Sequence, residues 1–376
     1  MSSVASDTLS RTPFHEFHVD NGARMVEFAG WEMPMLYRSI IEEHRQVRAG
    51  GGLFDVSHMG RLRFTGPDAC RFLDRVCTRK IHGMALDQCR YSLVCNDDGG
   101  CRDDVLVYRI GADEYLMVCN AANRKKLLEH FDAVCGDLDV LRRDETALTA
   151  MLAIQGPKVM DLIGGVAPEV AGLKRFRFVR KSVLGADVLI SRTGYTGEDG
   201  VEVIMPAAIA VQSMSLLISG IGGADSPVKP AGLGARDTLR MESAMPLYGH
   251  EITEQIDPLS AGLNFAVKLD KGDGNLEAGP FIGQEALKKI AETGPARSLA
   301  GLLLEGRRTA RQGMIVNAAG AEIGVVTSAC LSPTLGKPIA MAYLDAARAE
   351  PGGTVEVALG ANQATAEIVP LPFYKR

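Results

Sequence analysis

Two adjacent aspartates, Asp103 and Asp104, lie between a glycine pair at 99–100 and an apolar run at 105–108. Adjacent residues of a β-strand point to opposite faces, so only one of the two carboxylates can enter a given cleft. An ionised carboxylate in a cleft can stabilise positive charge that develops on a reacting group. Since aspartate is most often exposed, two solvated acids flanking a hairpin are the alternative interpretation. The residues alone leave both interpretations open.

A third acid lies within a valine-rich run that follows a glycine-punctuated loop. Glu202 stands between Val201 and Val203, directly after the loop at 194–200. Its carboxylate offers two acceptor oxygen atoms, which match a paired N–H donor edge such as that of a pterin or a guanine. A strand acid that faces solvent is the alternative interpretation.

An arginine follows a tight glycine turn in the segment at 232–242. Arg236 lies near the start of the predicted helix that this turn begins. A guanidinium can bind a carboxylate through two parallel hydrogen bonds, so Arg236 is a candidate anion-binding residue. The alternative is a local ion pair with Asp237 or Glu242, which contributes little when it is exposed.

Other kinds of site find no support in the residue spacing. The seven histidines include no H-x-x-x-H or H-E-x-x-H pair and the eight cysteines no C-x-x-C pair, so the sequence predicts no metal site. Ser57 and His58 are adjacent in a predicted strand and point apart, which argues against a nucleophilic Ser–His pair. No G-x-G-x-x-G follows an early strand and no Walker loop occurs, so nucleotide binding is not indicated.

The elements around the aspartate pair predict an α+β unit over residues 53–135. The runs at 91–95 and 105–110 are joined by an Asp-Gly-Gly bend, which is a strong hairpin signal. A further strand is predicted at 115–119, and an amphipathic helix at 124–134. Together these elements predict an antiparallel sheet with helices against it.

The remainder of the chain predicts a second unit of similar element order and a closing β domain. Strand and helix signals restart over 150–219. Earlier in the chain, Ser39 and Glu42 fit a capping box, in which both side chains accept hydrogen bonds from free N–H groups at the start of a helix. After residue 295, short strand-like runs with Gly/Pro turns predict a small β-barrel or jelly-roll-like domain.

The composition is that of an ordinary globular chain. Its 376 residues are 46% hydrophobic and carry a formal net charge of −5. The negative charge, and the lack of a basic run interleaved with aromatics, argue against a nucleic-acid partner. No apolar run approaches the roughly 18 residues of a membrane-spanning helix. Residues 1–11 are polar and lack the apolar core of a signal peptide, which predicts an intracellular protein.

Taken together, a series of short segments resembles the glycine cleavage T-protein family along nearly the whole chain. The segments are FAGWEMP at 28–34, GLFDVSHMG at 52–60, YSL at 91–93 with the following strands to Tyr108, NAAN at 120–123, IQGP at 154–157, YTGEDGVE at 195–202, GLGARDTLR at 232–240, FIGQEAL at 281–287, VTS at 326–328 with SPTL at 332–335, and PFY at 372–374. Each match is weak alone, but their shared order is specific.

The resemblance implies an α+β fold of three domains arranged in a ring around a central folate cavity. Two of them would be ferredoxin-like α+β domains with antiparallel sheets, and the third a C-terminal β-barrel or jelly-roll-like domain. The first domain would be discontinuous, formed by residues 1–52 and 140–275. The second would comprise 53–139 and carry Asp103, and the barrel would comprise 295–376.

The resemblance also implies an activity, that of a tetrahydrofolate-dependent aminomethyltransferase of the glycine cleavage system. Tetrahydrofolate would attack an aminomethyl group carried on the lipoyl arm of a transient partner, H-protein, with release of ammonia and formation of 5,10-methylenetetrahydrofolate. Its location would be the bacterial cytoplasm or, in a eukaryote, the mitochondrial matrix. A folate-dependent demethylase of the same superfamily, acting on another small donor, is the alternative, because the sequence does not identify the donor.

Matched position by position, the resemblance assigns roles to individual residues. Asp103, the first of the aspartate pair, matches the catalytic position, where an ionised carboxylate could stabilise iminium charge and orient the attacking amine. Glu202 matches the acid that binds the pterin edge, and Arg236 matches a folate-contacting arginine. Tyr374 matches a C-terminal aromatic at the folate site. The other expected cavity residues are Met59, Tyr91, Asn120 and Tyr195.

Overall fold

A computed structural model of the chain describes residues 9–220, 226–272 and 279–376. None of the helices in these ranges combines the length and apolar content that a membrane crossing requires. The helices are α1 (His15–Asp20), α2 (Ile40–Ala49), α3 (Ala69–Val76), α4 (Arg124–Val134), α5 (Val159–Val166), α6 (Pro168–Ala171), α7 (Ala207–Gly220), α8 (Leu233–Glu242) and α9 (Gln284–Thr293). The strands are β1 (Ser10–Arg11), β2 (Arg24–Phe28), β3 (Trp31–Leu36), β4 (Gly51–Asp55), β5 (Gly60–Thr65), β6 (Cys89–Cys95), β7 (Cys101–Arg109), β8 (Glu114–Cys119), β9 (Leu141–Asp144), β10 (Thr149–Gln155), β11 (Phe178–Val183), β12 (Ala186–Ser191), β13 (Gly200–Pro206), β14 (Val228–Pro230), β15 (Arg297–Leu304), β16 (Ile315–Ala318), β17 (Ala321–Leu331), β18 (Pro338–Asp345), β19 (Thr354–Leu359) and β20 (Asn362–Val369).

The sheet that carries the aspartate pair is antiparallel, with the order β6-β7-β8-β5-β9. Helices α3 and α4 cover one of its faces, where Phe64, Phe72 and Phe131 pack ring against ring with centroids 5.7 to 5.8 Å apart. The other face turns toward the first sheet, and Tyr108 meets Phe178 there at 5.6 Å. The two faces of strand β7 therefore have different neighbours.

The first sheet has the order β11-β12-β13-β10-β4-β14. Val201 and Val203 on one face pack with Val159 and Ile163 of α5 and with Met214 of α7. The opposite face packs against the second sheet. Both sheets are thus covered by helices on the outside and approach each other on the inside.

The two α+β units repeat one element order, as the sequence predicts. Each runs strand, helix, three strands, helix, strand: β5 to β9 in one unit and β10 to β14 in the other, with the short helix α6 as an addition. The units differ because β4, from earlier in the chain, lies between β10 and β14. It pairs antiparallel with β10 and parallel with β14.

The C-terminal domain is a single closed barrel with the order β15-β18-β17-β16-β19-β20. Pairing of β15 with β20 completes the closure, so the barrel interpretation is confirmed rather than a two-sheet jelly roll. Closure leaves no free sheet edge. Its interior is filled by small and branched apolar side chains that include Ala300, Leu302, Val316, Leu344 and Ile368.

The strand pairing corrects two predicted domain boundaries. The boundary between 52 and 53 falls inside β4, which belongs entirely to the first sheet. Strand β9 pairs with β5 in the second sheet, so residues 140–144 do not join the first domain. Each of these two pairings joins strands that are distant in sequence, and local sequence patterns carry no information about such pairing. The predicted boundary at 275 lies outside the described residues.

Candidate active site

A cavity of about 1170 Å³ lies where the two sheets, helix α8 and the barrel meet. Asp104 lines it from the second sheet, Glu202 from the first, Arg236 from α8 and Leu331 from the barrel. All three domains therefore surround one cavity, large enough for a small-molecule ligand.

Strand alternation explains why Glu202 faces this cavity. Its neighbours Val201 and Val203 are buried beneath α5 and α7, which directs the intervening side chain to the inner face. Thr193 donates a hydrogen bond from its hydroxyl to Oε2 of Glu202. Within the described residues, no hydrogen bond reaches the other carboxylate oxygen. Burial raises the pKa of Glu202, while the Thr193 hydrogen bond and the charge of Arg236 oppose that rise.

Two glycines allow helix α8 to bring Arg236 to the cavity. A Cβ atom on Gly232 would lie 2.3 Å from the carbonyl oxygen of Met35, and one on Gly234 would lie 2.6 Å from a side-chain carbon of Ile40. The close approach requires glycine at both positions. It seats the start of α8 against the end of β3 and the first residue of α2.

Arg236 is half-buried, and its guanidinium carbon lies 4.9 Å from the ring centroid of Tyr195. Its Nη1 atom is buried and has no hydrogen-bond partner among the described residues. Burial lowers the pKa of Arg236, and the charge of Glu202 opposes the shift. The alternative of a local ion pair is wrong, because Asp237 pairs with Arg240 and Glu242 with Arg48.

The aspartate pair is divided between the two faces of β7. Asp104 lines the cavity together with Leu106. Asp103 does not line it: its side chain is fully buried and shares the strand face of Val107, which belongs to the core under α3 and α4. The prediction of Asp103 as the cavity acid is therefore corrected by the structure in favour of Asp104. The two aspartates are adjacent in β7, so a difference of one residue decides which of them faces the cavity.

A shared amide connects the two carboxylates. Nδ2 of Asn120 donates to Oδ1 of Asp103 at 2.8 Å and to Oδ1 of Asp104 at 2.7 Å. Asp103 also accepts hydrogen bonds from the Asn120 backbone N–H at 3.0 Å and from Nδ2 of Asn123 at 2.6 Å. Asp104 accepts a hydrogen bond from the Tyr91 hydroxyl at 3.1 Å. Both carboxylates are thus held in fixed orientations.

The ionisation of Asp103 and the ionisation of Asp104 are linked. Burial raises the pKa of Asp104, against the hydrogen bonds from Asn120 and Tyr91. Burial and the charge of Asp104 raise the pKa of Asp103 to about 8, against the amides of Asn120 and Asn123. Two buried like charges this close disfavour each other. The pair therefore retains a proton to higher pH than two separate aspartates would.

A neutral histidine also lines the cavity, and sequence reasoning did not identify it as a cavity residue. His58 is buried, and its ring meets that of Phe28 edge-on with centroids 5.5 Å apart. Burial lowers the pKa of His58 to about 4, so the imidazole is uncharged at neutral pH. Its neighbour Ser57 donates its hydroxyl hydrogen to the carbonyl of Met151.

Tyr374 lies away from the cavity wall. The Arg48 guanidinium stacks over its ring at 4.1 Å, and its hydroxyl donates to Glu198 at 3.3 Å. Its backbone N–H donates to the carbonyl of Glu242 at 2.8 Å. These contacts join the C-terminal segment to helices α2 and α8, so the structure does not place Tyr374 where the resemblance implied. The position depends on how the chain after the barrel returns across the first domain.

The structure brings most of the predicted site residues to one cavity. The predicted residues that line the cavity are Met59, Tyr91, Asn120, Tyr195, Glu202 and Arg236. The cavity residues that sequence reasoning missed include Asp104 in its role as the facing acid, His58, Thr193, Phe176 and Phe265. The sequence did contain a signal for Asp104, because alternation places it on the same strand face as Leu106 and Tyr108. Alternation did not show which face of the strand borders a cavity.

Two family models cover most of the chain. The GCVT N-terminal domain matches residues 14–271, and the glycine cleavage T-protein C-terminal barrel domain matches residues 297–375. The chain belongs to the glycine cleavage T-protein family. Within this family, the chain is 47% identical to an aminomethyltransferase of Rubrobacter xylanophilus, over 100% of this chain and 97% of the relative. It is 44% identical to an aminomethyltransferase of Moorella thermoacetica, over 98% of each.

A solved T-protein structure has the same fold. The glycine cleavage system aminomethyltransferase T from Bartonella henselae matches this chain with a TM-score of 0.89 and 31% sequence identity, covering 98% of both chains. The agreement extends through both α+β units and the barrel, so the three-domain α+β architecture is that of the family.

Proposed function

We propose that this chain is the aminomethyltransferase of a glycine cleavage system, which transfers a one-carbon unit to tetrahydrofolate and releases ammonia. The family match over nearly the whole chain supports the reaction class. The observation that carries the proposal is the cavity itself, where an oriented carboxylate, Asp104, shares one space with Glu202 and Arg236. An acid to stabilise positive charge and a charged pair to hold a polar heterocycle are what this reaction requires.

Glu202 and Arg236 suit the folate. Thr193 holds one oxygen atom of the Glu202 carboxylate. The other oxygen atom, together with the remaining lone pair of the first, can accept hydrogen bonds from the paired N–H donors of a pterin edge. The Nη1 atom of Arg236, which has no partner in the described part of the chain, can donate to an acceptor atom of the same ligand. An unpaired buried donor costs about 1–3 kcal/mol. A ligand that satisfies it regains that energy on binding.

Asp104, not Asp103, is proposed to act on the reacting atoms. Cleavage of the carbon–sulfur bond of the aminomethyl donor develops positive charge on carbon and nitrogen, and a fixed anion nearby stabilises it. Tyr91 and Asn120 hold the Asp104 carboxylate in place before the reaction starts. Two folate N–H protons must leave while the thiol and ammonia each gain one. A carboxyl pair that keeps one proton can exchange protons with these groups at little electrostatic cost.

The donor is proposed to be the aminomethyl group on the lipoyl arm of H-protein. A flexible arm can reach a cavity that the carrier itself cannot enter, and several apolar side chains lie where this cavity meets solvent. Phe28, Phe176 and Phe265 line it and remain 39%, 46% and 63% exposed. A cytoplasmic location remains a prediction.

The decisive assay measures 5,10-methylenetetrahydrofolate and ammonia formed from aminomethylated H-protein and tetrahydrofolate, with and without the protein. Acceleration of both products is expected. Asp104→Asn should lose most of the turnover while keeping its affinity for tetrahydrofolate, and an exposed control, Asp137→Asn, should behave as wild type. Tetrahydrofolate binding without acceleration would contradict the proposal and would favour a demethylase that uses another donor.

A further inference from the structure

One histidine of the cavity wall is buried without satisfying its hydrogen-bonding capacity. His58 lines the cavity and is 6% exposed, and its Nδ1 atom has no hydrogen-bond partner among the described residues. Most buried polar atoms in native proteins are paired with protein or with ordered water. An unpaired imidazole nitrogen at the wall of a ligand cavity indicates that the ligand supplies the partner.

Hydrogen bonds on both sides of His58 hold its backbone in place. The backbone N–H of Ser57 donates to Oδ1 of Asp55 at 2.8 Å. The buried guanidinium of Arg61 donates to the carbonyls of Ser57 and Met59, the two neighbours of His58 in the chain. The imidazole is therefore positioned before a ligand arrives, which lowers the entropic cost of a contact with it.

The surroundings of His58 keep its imidazole neutral. Burial lowers the pKa of His58 to about 4, the charges of Arg236 and Arg61 add to the shift, and the charge of Asp55 opposes it. A neutral imidazole has one nitrogen that donates a hydrogen bond and one that accepts, whereas a guanidinium only donates. At neutral pH His58 therefore offers an acceptor that the neighbouring arginines cannot offer.

His58 and Arg236 together match one edge of tetrahydrofolate. The charge of Arg236 acts on His58, so the two side chains lie in the same part of the cavity. In the pterin ring of tetrahydrofolate, the 4-oxo acceptor lies beside the N5–H donor. Arg236 can donate to the first and His58 can accept from the second. N5 is the more nucleophilic of the two nitrogens that receive the carbon unit, because N10 is an aniline nitrogen.

We propose that His58 contacts tetrahydrofolate and accepts a hydrogen bond from N5–H, while Arg236 donates to the adjacent 4-oxo group. This inference rests on the proposed function, in which tetrahydrofolate receives the one-carbon unit. Fixing the direction of the N5–H bond also fixes the direction of the N5 lone pair, which attacks the donor carbon. A weakly basic imidazole accepts this hydrogen bond without taking the proton, so removal of the proton is left to the aspartate pair.

A matched pair of variants and a matched pair of ligands isolate this contact. His58→Phe keeps a flat ring and removes both nitrogens. Its control is His130→Phe, because His130 also has a buried ring nitrogen without a partner in the described part of the chain, also has a pKa lowered by burial to about 4, and does not line the cavity. The ligands are tetrahydrofolate and 5-methyltetrahydrofolate, in which a methyl group replaces the N5 hydrogen.

The expected result is a loss that depends on the N5 hydrogen. In calorimetric titrations His58→Phe should bind tetrahydrofolate about tenfold more weakly than wild type, which corresponds to about 1.4 kcal/mol. Its affinity for 5-methyltetrahydrofolate should change by less than about twofold. The kcat of transfer should also fall, because the lone pair of N5 is no longer directed. His130→Phe should match wild type with both ligands and in turnover.

A spectroscopic measurement tests the contact in the wild-type protein. Labelling with nitrogen-15 histidine gives signals from seven imidazoles, and those of His58 are the ones that His58→Asn lacks. A ring-nitrogen signal of His58 should move when tetrahydrofolate is added and stay in place with 5-methyltetrahydrofolate. The signals of His130 should stay in place with both ligands.

The outcomes separate this inference from the proposed function. Unchanged affinity for tetrahydrofolate in His58→Phe would overturn the contact, and so would an equal loss for both ligands or unmoved His58 signals. Failure of wild type to bind tetrahydrofolate would also refute it. If tetrahydrofolate binds with the expected difference between the two ligands but H-protein donates no carbon unit, the contact stands and the proposed reaction fails.

Discussion

Replacing Asp104 with asparagine should lower the pKa of Asp103, the acid on the opposite face of the same strand. The substitution removes one charge and preserves the shape of the side chain. Asparagine can still accept the hydrogen bond from Asn120, and its amide can donate to the Tyr91 hydroxyl. The main change felt by Asp103 is therefore electrostatic.

The geometry sets the size of the effect. Oδ1 of Asp103 and Oδ1 of Asp104 lie 2.8 Å and 2.7 Å from the same Asn120 nitrogen, so they are at most about 5.5 Å apart. Two unit charges at that separation repel by about 3 kcal/mol at an effective dielectric constant of about 20. That energy corresponds to about two pKa units. The pKa of Asp103, about 8 in the wild type, should fall to roughly 6 in Asp104→Asn.

The direction of the stability change follows from proton uptake. The usual pKa of an aspartate, 3.8, applies to the unfolded chain, so between that value and the raised pKa the native state holds a proton that the unfolded state has lost. Stability therefore falls as pH rises through this interval. The interval ends near pH 8 in the wild type and should end near pH 6 in the variant. The wild type should lose about 3 kcal/mol more than the variant between about pH 6 and 8.5.

Urea unfolding followed by circular dichroism at several pH values measures this difference. Asp137→Asn, which removes an exposed aspartate of the same unit, should follow the wild-type pH dependence. Parallel stability curves for wild type and Asp104→Asn across about pH 6 to 8.5 would refute the electrostatic link between the two carboxylates. Greater stability at high pH together with lost turnover would show that the cavity acid is retained at the expense of stability.

Three further substitutions test separate parts of the structure. Glu202→Gln should weaken tetrahydrofolate binding about tenfold or more with little change in kcat, because a charge-assisted hydrogen bond contributes about 1.5–3 kcal/mol. If calorimetry gave the variant wild-type affinity for tetrahydrofolate, the pterin-binding role of Glu202 would be contradicted. Glu242→Gln should lower the free energy of unfolding by about 1–3 kcal/mol, because it removes one of the two carboxylates that pair with the largely buried Arg48 at 2.9 Å, Glu198 being the other. The exposed control Glu285→Gln should leave the thermal transition unchanged. Tyr374→Phe should keep wild-type folate affinity, since Tyr374 does not line the cavity, and a tenfold loss would return this residue to the folate site.

Features determined by neighbouring residues were predictable from the sequence. Ser39 begins helix α2 as the capping pattern predicts, and its side chain accepts a hydrogen bond from the backbone N–H of Glu42 at 3.2 Å. The bend that joins β6 to β7 places Gly99 at φ of 85°, which glycine adopts without strain. Glu202 faces inward because the valines on both sides of it are buried. In each case the decisive interactions lie within a few residues.

The tertiary structure alone decided which face of a strand borders the cavity and which distant segments meet. A shift of one residue exchanges the two faces of a strand, so the choice between Asp103 and Asp104 depended on where α3 and α4 pack. The position of Tyr374 depended on the return of the chain from the barrel to α2 and α8. The placement of β4 between β10 and β14 joined residues about 100 or more apart in sequence. Side-chain alternation is a local property, whereas the identity of what covers each face is set by long-range packing.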